Sequence, residues 1–177
     1  MTVQLDKYYG KWYEIARLPN WFQGDLWFLP RKGVNSTAIY CPTKNDKEIK
    51  VTNELEWEYS FDFLEMFFAE YDKIKGKAKI KGKNSLSVSF NFFSKLFNAG
   101  KANYYIREIV LDEEGGYLFS VVTSSDKITE QEYAWLLSRK DPAKWTEKDR
   151  ELALKTLCSM ESYGVDTENL VKHEILS

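Results

Sequence analysis

From Lys73 to Lys83 lysine occupies every odd position, and the even positions hold Ile74, Gly76, Ala78, Ile80 and Gly82. An extended strand alternates its side chains between two faces, so it puts all six lysines on one side. A helix would scatter them. The stretch before it has the same period. Its odd positions are Ile49, Val51, Asn53, Leu55, Trp57, Tyr59, Phe61 and Phe63, and its even ones include Glu48, Glu54, Glu56, Glu58 and Asp62. A hairpin turning near Glu65-Met66 would lay the acidic face beside the lysine face. Each cross-strand pair would then contribute about 0.2–1 kcal/mol, less where exposed. The lysine stripe is therefore expected to be a solvated outer face and not a nucleic-acid or membrane patch. The balance of 25 basic and 27 acidic residues, net −2, also argues against a nucleic-acid partner.

Period-2 patterns continue over Lys11 to Arg17, Val34 to Tyr40, Ser85 to Phe93, Asn103 to Leu111, Tyr117 to Thr123 and Tyr133 to Ser138, and Gly115-Gly116 is a hairpin turn. Evenly spaced short strands predict a barrel or sandwich. After Pro142 the period changes. Thr146 with Asp149 forms a capping-box pattern, Ala153, Leu154, Leu157 and Met160 follow helical spacing, and Gly164 is a stop. One amphipathic helix, Glu147 to Tyr163, is expected outside the sheet, followed by an extended tail from Asn169 to Ile175. The 177 residues suit a single domain, residues 1–177.

Catalytic and metal chemistry find little support. The one histidine, His173, sits in the tail, so a serine or cysteine nucleophile lacks a positioned base. No Cys/His cluster has metal-ligand spacing, so neither metal nor cofactor is expected. Cys41 and Cys158 are expected as buried free thiols, with one long-range disulfide as the alternative. Alternation after Tyr40 turns Cys41 outward.

Three motifs carry a family resemblance. Gly10-Lys11-Trp12-Tyr13-Glu14-Ile15-Ala16-Arg17 resembles the Gly-x-Trp motif that opens the lipocalin fold, in its bacterial-type and apolipoprotein-D-like form. Val110-Leu111-Asp112, followed by Tyr117, matches the second motif, and Leu136-Leu137-Ser138-Arg139 matches the third. The resemblance implies an all-β fold: an eight-stranded antiparallel up-and-down barrel with one C-terminal helix packed outside. It also implies that Trp12 plugs the closed end and that Arg139 lies across its ring, a contact of about 0.5–2 kcal/mol. Gly10 and Asp112 complete the motif set.

An eight-stranded barrel leaves room for one small ligand. The implied function is to bind, and to carry or sequester, a small hydrophobic molecule. Fatty acids, lysophospholipids and similar amphiphiles come first, because the resembled branch handles such lipids. Alternation and the family topology give the expected cavity lining as Glu14, Ala16, Ala38, Tyr40, Val51, Asn53, Ile74, Val88, Phe90, Ile106, Glu108, Ser120, Tyr133 and Trp135. Two of these are carboxylates, costly to bury unless paired or protonated. Glu14 and Glu108 are either satisfied structural contacts near the closed end or polar anchors for a ligand head group.

The barrel mouth departs from the family. Trp21, Phe22 and Trp27 in the first loop, with Trp57, Tyr59, Phe61 and Phe63 on an overlong third strand, would make a large aromatic surface there. Soluble monomers seldom expose such patches. A homo-oligomer through this end is expected, membrane contact being less favoured, and the alternative is a lid folded back on its own barrel. The rival functions are an interaction scaffold and a tetrapyrrole (haem) carrier. The first residues have neither a basic nor an apolar targeting pattern, so the chain is either cytosolic or a mature form. The extracytoplasmic mature form is the expectation.

Overall fold

The computed structural model describes residues 3–20, 23–25, 31–44, 48–59, 71–82, 84–90, 102–125 and 132–176. Among them are nine strands: β1 (Gly10–Arg17), β2 (Arg31–Pro42), β3 (Glu48–Tyr59), β4 (Tyr71–Gly82), β5 (Ser85–Phe90), β6 (Ala102–Leu111), β7 (Tyr117–Ser125), β8 (Glu132–Ser138) and β9 (Val171–Lys172). Their order in the sheet is β2-β3-β4-β5-β6-β7-β8-β1-β9. β1 also pairs with β2 from Gly10↔Tyr40 to Tyr13↔Thr37, which closes eight antiparallel strands into an up-and-down barrel. β9 lies outside that circuit. It pairs with Ala16 and Arg17 and is followed by a 3-10 turn at Glu174–Leu176, so the extended tail is shorter than expected.

The lysine face is where the period placed it. Lys73, Lys75, Lys77 and Lys79 are exposed, and the register sets Glu54 opposite Lys73 and Glu48 opposite Lys79. Lys73 Nζ lies 2.8 Å from Glu54 and Lys79 Nζ 3.6 Å from Glu48. The turn of this hairpin lies outside the described residues.

Two apolar clusters follow from the two faces. The inner one gathers Trp12, Tyr40, Ile49, Val51, Ala78, Leu86, Ile106, Ile109, Val122 and Leu137. The outer one packs Ile15, Ala16, Phe119, Val121 and Leu136 against Ala153, Leu157 and Met160. Those last three belong to helix α2 (Glu147–Ser159) and its 3-10 extension Met160–Tyr163. The Thr146 side chain accepts from Asp149 N, Asp149 accepts from Thr146 N, and Gly164 ends the helix at φ 81°. An N-terminal helix that the period analysis did not predict, α1 (Leu5–Tyr8), sends Tyr8 into the inner cluster, fully buried.

The cysteines correct one expectation. Cys41 and Cys158 are free, as expected, but both are exposed and not buried. Cys41 follows an inward Tyr40 on β2, and Cys158 lies on α2 next to the buried Leu157 but outside its buried face.

Candidate ligand-binding interior

The closed end is built around Trp12. Its indole Nε1 donates to Tyr8 O at 2.9 Å, and its ring is buried completely. The Arg139 guanidinium lies 4.2 Å from the ring centre and donates to Lys11 O at 3.1 Å and Lys7 O at 2.6 Å. Gly10 has φ 106°, which favours glycine, and a Cβ there would sit 3.0 Å from Arg139 Nη1 and press on the guanidinium. At the neighbouring turn Asp112 Oδ1 accepts from Glu114 N and Gly116 N, holding β6 to β7.

Above this plug a row of aromatic rings runs through the barrel. Trp12 meets Tyr8 at 4.8 Å between centroids, Tyr8 meets Tyr40 at 5.1 Å, and Tyr40 meets Tyr104 at 6.5 Å. Tyr104 stacks on Trp135 at 6.3 Å, and Trp135 on Tyr133 at 5.9 Å. Hydroxyls link the lower half: Tyr40 and Tyr104 are 2.8 Å apart, Tyr104 and Tyr8 3.5 Å, and Tyr8 and Ser120 3.1 Å. Burial pushes all three phenols up from their ordinary value, Tyr40 and Tyr104 furthest, so they remain neutral hydroxyls.

Of the expected lining, Ala38, Tyr40, Val51, Ile106 and Trp135 belong to the inner cluster, Ser120 touches Tyr8, and Tyr133 stacks on Trp135. Asn53 shares the β3 face of Val51 and Leu55, with a buried Oδ1 that lacks a partner. Ile74, Val88 and Phe90 lie in β4 and β5, and their side chains are outside the described set. Tyr8, Tyr104, Ser124, Val122 and Leu137 also line the interior and were not anticipated. The alternation that placed Ile106 inward could have found Tyr104. Tyr8 comes from α1, where no strand period applies.

Two expected lining residues face the other way, and one cause explains both. A β-bulge adds a residue and shifts the side-chain phase. In β1 the register slips between Glu14 and Ala16, so Ala16 pairs with outward Leu136 and packs in the outer cluster. Arg17 takes the inward position instead, opposite Trp135. In β6 the slip falls between Ile106 and Glu108. Glu108 therefore leaves the barrel and accepts from Ser159 at 2.8 Å and Tyr163 at 3.3 Å beside α2, while Ile109 turns in.

Glu14 does face inward, but toward the open end rather than the closed one. Arg17 Nη1 donates to it at 2.5 Å and Gln23 Nε2 at 2.8 Å. Arg17 also grips Asp25 through Nε at 2.8 Å and Nη2 at 2.7 Å, and reaches Gly33 O at 2.8 Å. Burial alone would lower the Arg17 pKa, but Glu14 and Asp25 outweigh it and push it up. This ionic knot straps the first loop to the barrel wall. Gln23 Oε1, 3.5 Å from Trp135 Nε1, carries the strap over the interior.

The supposed interface is partly corrected. Trp57 and Tyr59 form a buried cluster with Leu55 within the chain, so neither offers a free surface to a partner. Trp21, Phe22, Trp27, Phe61 and Phe63 lie outside the described residues.

Comparison with known proteins follows the same architecture. The chain is 27% identical over 169 residues to the outer membrane lipoprotein Blc of Vibrio cholerae serotype O1, covering 95% of this chain and 80% of that protein. The cockroach allergen Per a 4 has the same fold at a TM-score of 0.63 and 14% identity, over 98% of this chain and 89% of the allergen. The siderocalin Ex-FABP matches at a TM-score of 0.54 and 12% identity, over 94% of this chain and 93% of that one. A family model described as a lipocalin-like domain matches residues 3–174, and this chain belongs to that lipocalin-like family.

Proposed function

We propose that this protein binds one small amphiphile inside the barrel and carries or sequesters it. Fatty acids, lysophospholipids and related single-chain lipids are the class. The observation that supports it is an interior of aliphatic side chains crossed by the row from Tyr133 to Trp12, with few polar groups placed among them. An apolar tail would lie along Val51, Ala78, Ile106 and Val122. The likeness to an outer membrane lipoprotein supports a place outside the cytoplasm. The role we propose is binding; His173 sits beside β1 on the tail, its backbone N–H donating to Ile15 O at 2.8 Å. A further role as an oligomer through the barrel mouth would fall to residues other than Trp57 and Tyr59.

Titration with N-phenyl-1-naphthylamine and its displacement by lipids tests this function. Saturable binding of one ligand per chain, at about micromolar affinity or better, with quenching of Trp135 fluorescence, is the expected result. No saturable binding across fatty acids, lysolipids, monoacylglycerols, retinoids and haem would overturn it.

A further inference from the structure

We propose that the barrel selects amphiphiles whose polar end is uncharged, an alcohol, ester or amide, over those ending in a carboxylate or phosphate. This rests on the single-chain-lipid binding proposed above and ranks ligands within that class, neutral lipids binding more tightly than fatty acids or lysophospholipids.

The hydroxyl row leaves a proton over. Tyr40, Tyr104, Tyr8 and Ser120 carry one O–H proton each but share only three contacts, at 2.8, 3.5 and 3.1 Å. One proton therefore has no acceptor within the row. Ser124, on the inward face of β7 and paired with Tyr104 and Tyr133 in register, is 5% exposed, and its Oγ has no partner. Asn53 Oδ1 is a buried acceptor in the same condition, on a strand whose register sets it beside inward Ala38. The interior thus presents spare O–H donors together with a spare carbonyl acceptor. An alcohol donates and accepts, so it can pair with either kind. An ester or amide carbonyl accepts from the hydroxyls. A carboxylate or phosphate also accepts from the hydroxyls and, like an ester, has nothing to donate to Asn53 Oδ1, so it is charge that sets it apart from the ester.

Charge points the same way. An anion taken from water into an apolar interior needs a cation beside it. Among the described residues the cation turned to the interior is Arg17, and Glu14 and Asp25 already hold it from two sides. Arg139 stands behind Trp12, on the far side of the plug. The buried phenols offer neutral donors alone. The recognition chemistry is that of a neutral oxygen.

The test is a displacement titration of the full chain with three ligands of one tail length: monolauroylglycerol, laurate and lauroyl-lysophosphatidic acid. At about pH 8 both acids are charged. Monolauroylglycerol is expected to bind about tenfold tighter or more than either anion. Equal or tighter binding of laurate or of the phosphate would overturn this selectivity and leave the barrel a lipid carrier; no binding by any of the three, or by the wider panel, would remove the carrier function itself. Tyr104→Phe, checked for fold by circular dichroism, should bring the ratio of monolauroylglycerol to laurate affinity down to near one. Preference retained in a folded Tyr104→Phe protein would overturn the hydroxyl row as its source. Ser124→Ala serves the same comparison if Tyr104→Phe does not fold.

Discussion

The Arg139 guanidinium lies over the Trp12 ring at 4.2 Å while its Nη atoms hold the carbonyls of Lys7 and Lys11. Residues 128 and 132 positions apart in sequence are thereby tied where the barrel closes. Trp12→Ala should cost about 3–5 kcal/mol in denaturant melts, because the ring is wholly buried. Gly10→Ala should cost about 1–3 kcal/mol from backbone strain, and more from displacing Arg139. A Trp12→Ala loss under about 1 kcal/mol would contradict the plug.

Glu108 and Ser120 lie on neighbouring strands but on opposite faces. Glu108→Ala removes contacts to Ser159 and Tyr163 outside the barrel. It should lower stability by about 0.5–1.5 kcal/mol and leave ligand affinity unchanged. Ala38→Phe, by contrast, fills space on the inner face and should weaken binding by about tenfold or more in the same titration.

Arg17→Met would strand two buried carboxylates. With Glu14 and Asp25 left uncompensated, the loss should be about 3–5 kcal/mol. Hydrogen exchange should also quicken at Asn20 and Gln23, whose amide groups are held by the same knot. A folded variant with unchanged exchange there would show that the strap depends on other contacts.

Asp149 makes the helix start pH-dependent. Burial pushes its carboxyl up, but hydrogen bonds from Lys140 and Thr146 outweigh that and hold it below its ordinary value. Its contribution is thus full above the unfolded carboxyl value, about 3.9, and is lost as pH falls through the lower folded value. Near neutral pH Asp149→Asn should cost about 0.5–2 kcal/mol. The gap between variant and wild-type melting curves should close in acid. A gap that stays constant down to the acid transition would assign the cost to packing.

Much of the fold is legible from residues that are near one another in sequence. The Lys73–Lys83 stripe, the acidic face of β3, the Thr146–Asp149 cap and the three motifs name the strands, the helix and the closed end. Alternation also brings Tyr40, Val51, Ile106, Ser120, Tyr133 and Trp135 together on one face. These succeed because period and capping are local properties of a chain.

The tertiary structure decided what local patterns do not encode. Ala16 and Glu108 each follow a bulge, and a strand pattern carries no mark of an extra residue whose place is set by the partner strand. One added residue reverses every side chain after it, which is why Arg17 entered the barrel and Glu108 left it. The burial of Trp57 and Tyr59, and the hydroxyl row joining Tyr8 to residues on β2, β6 and β7, likewise arise only when distant strands close into a barrel. The sequence by itself determined the alternating strands and the two ends of the barrel. Register, and with it the chemistry of the interior, belonged to the pairing between strands.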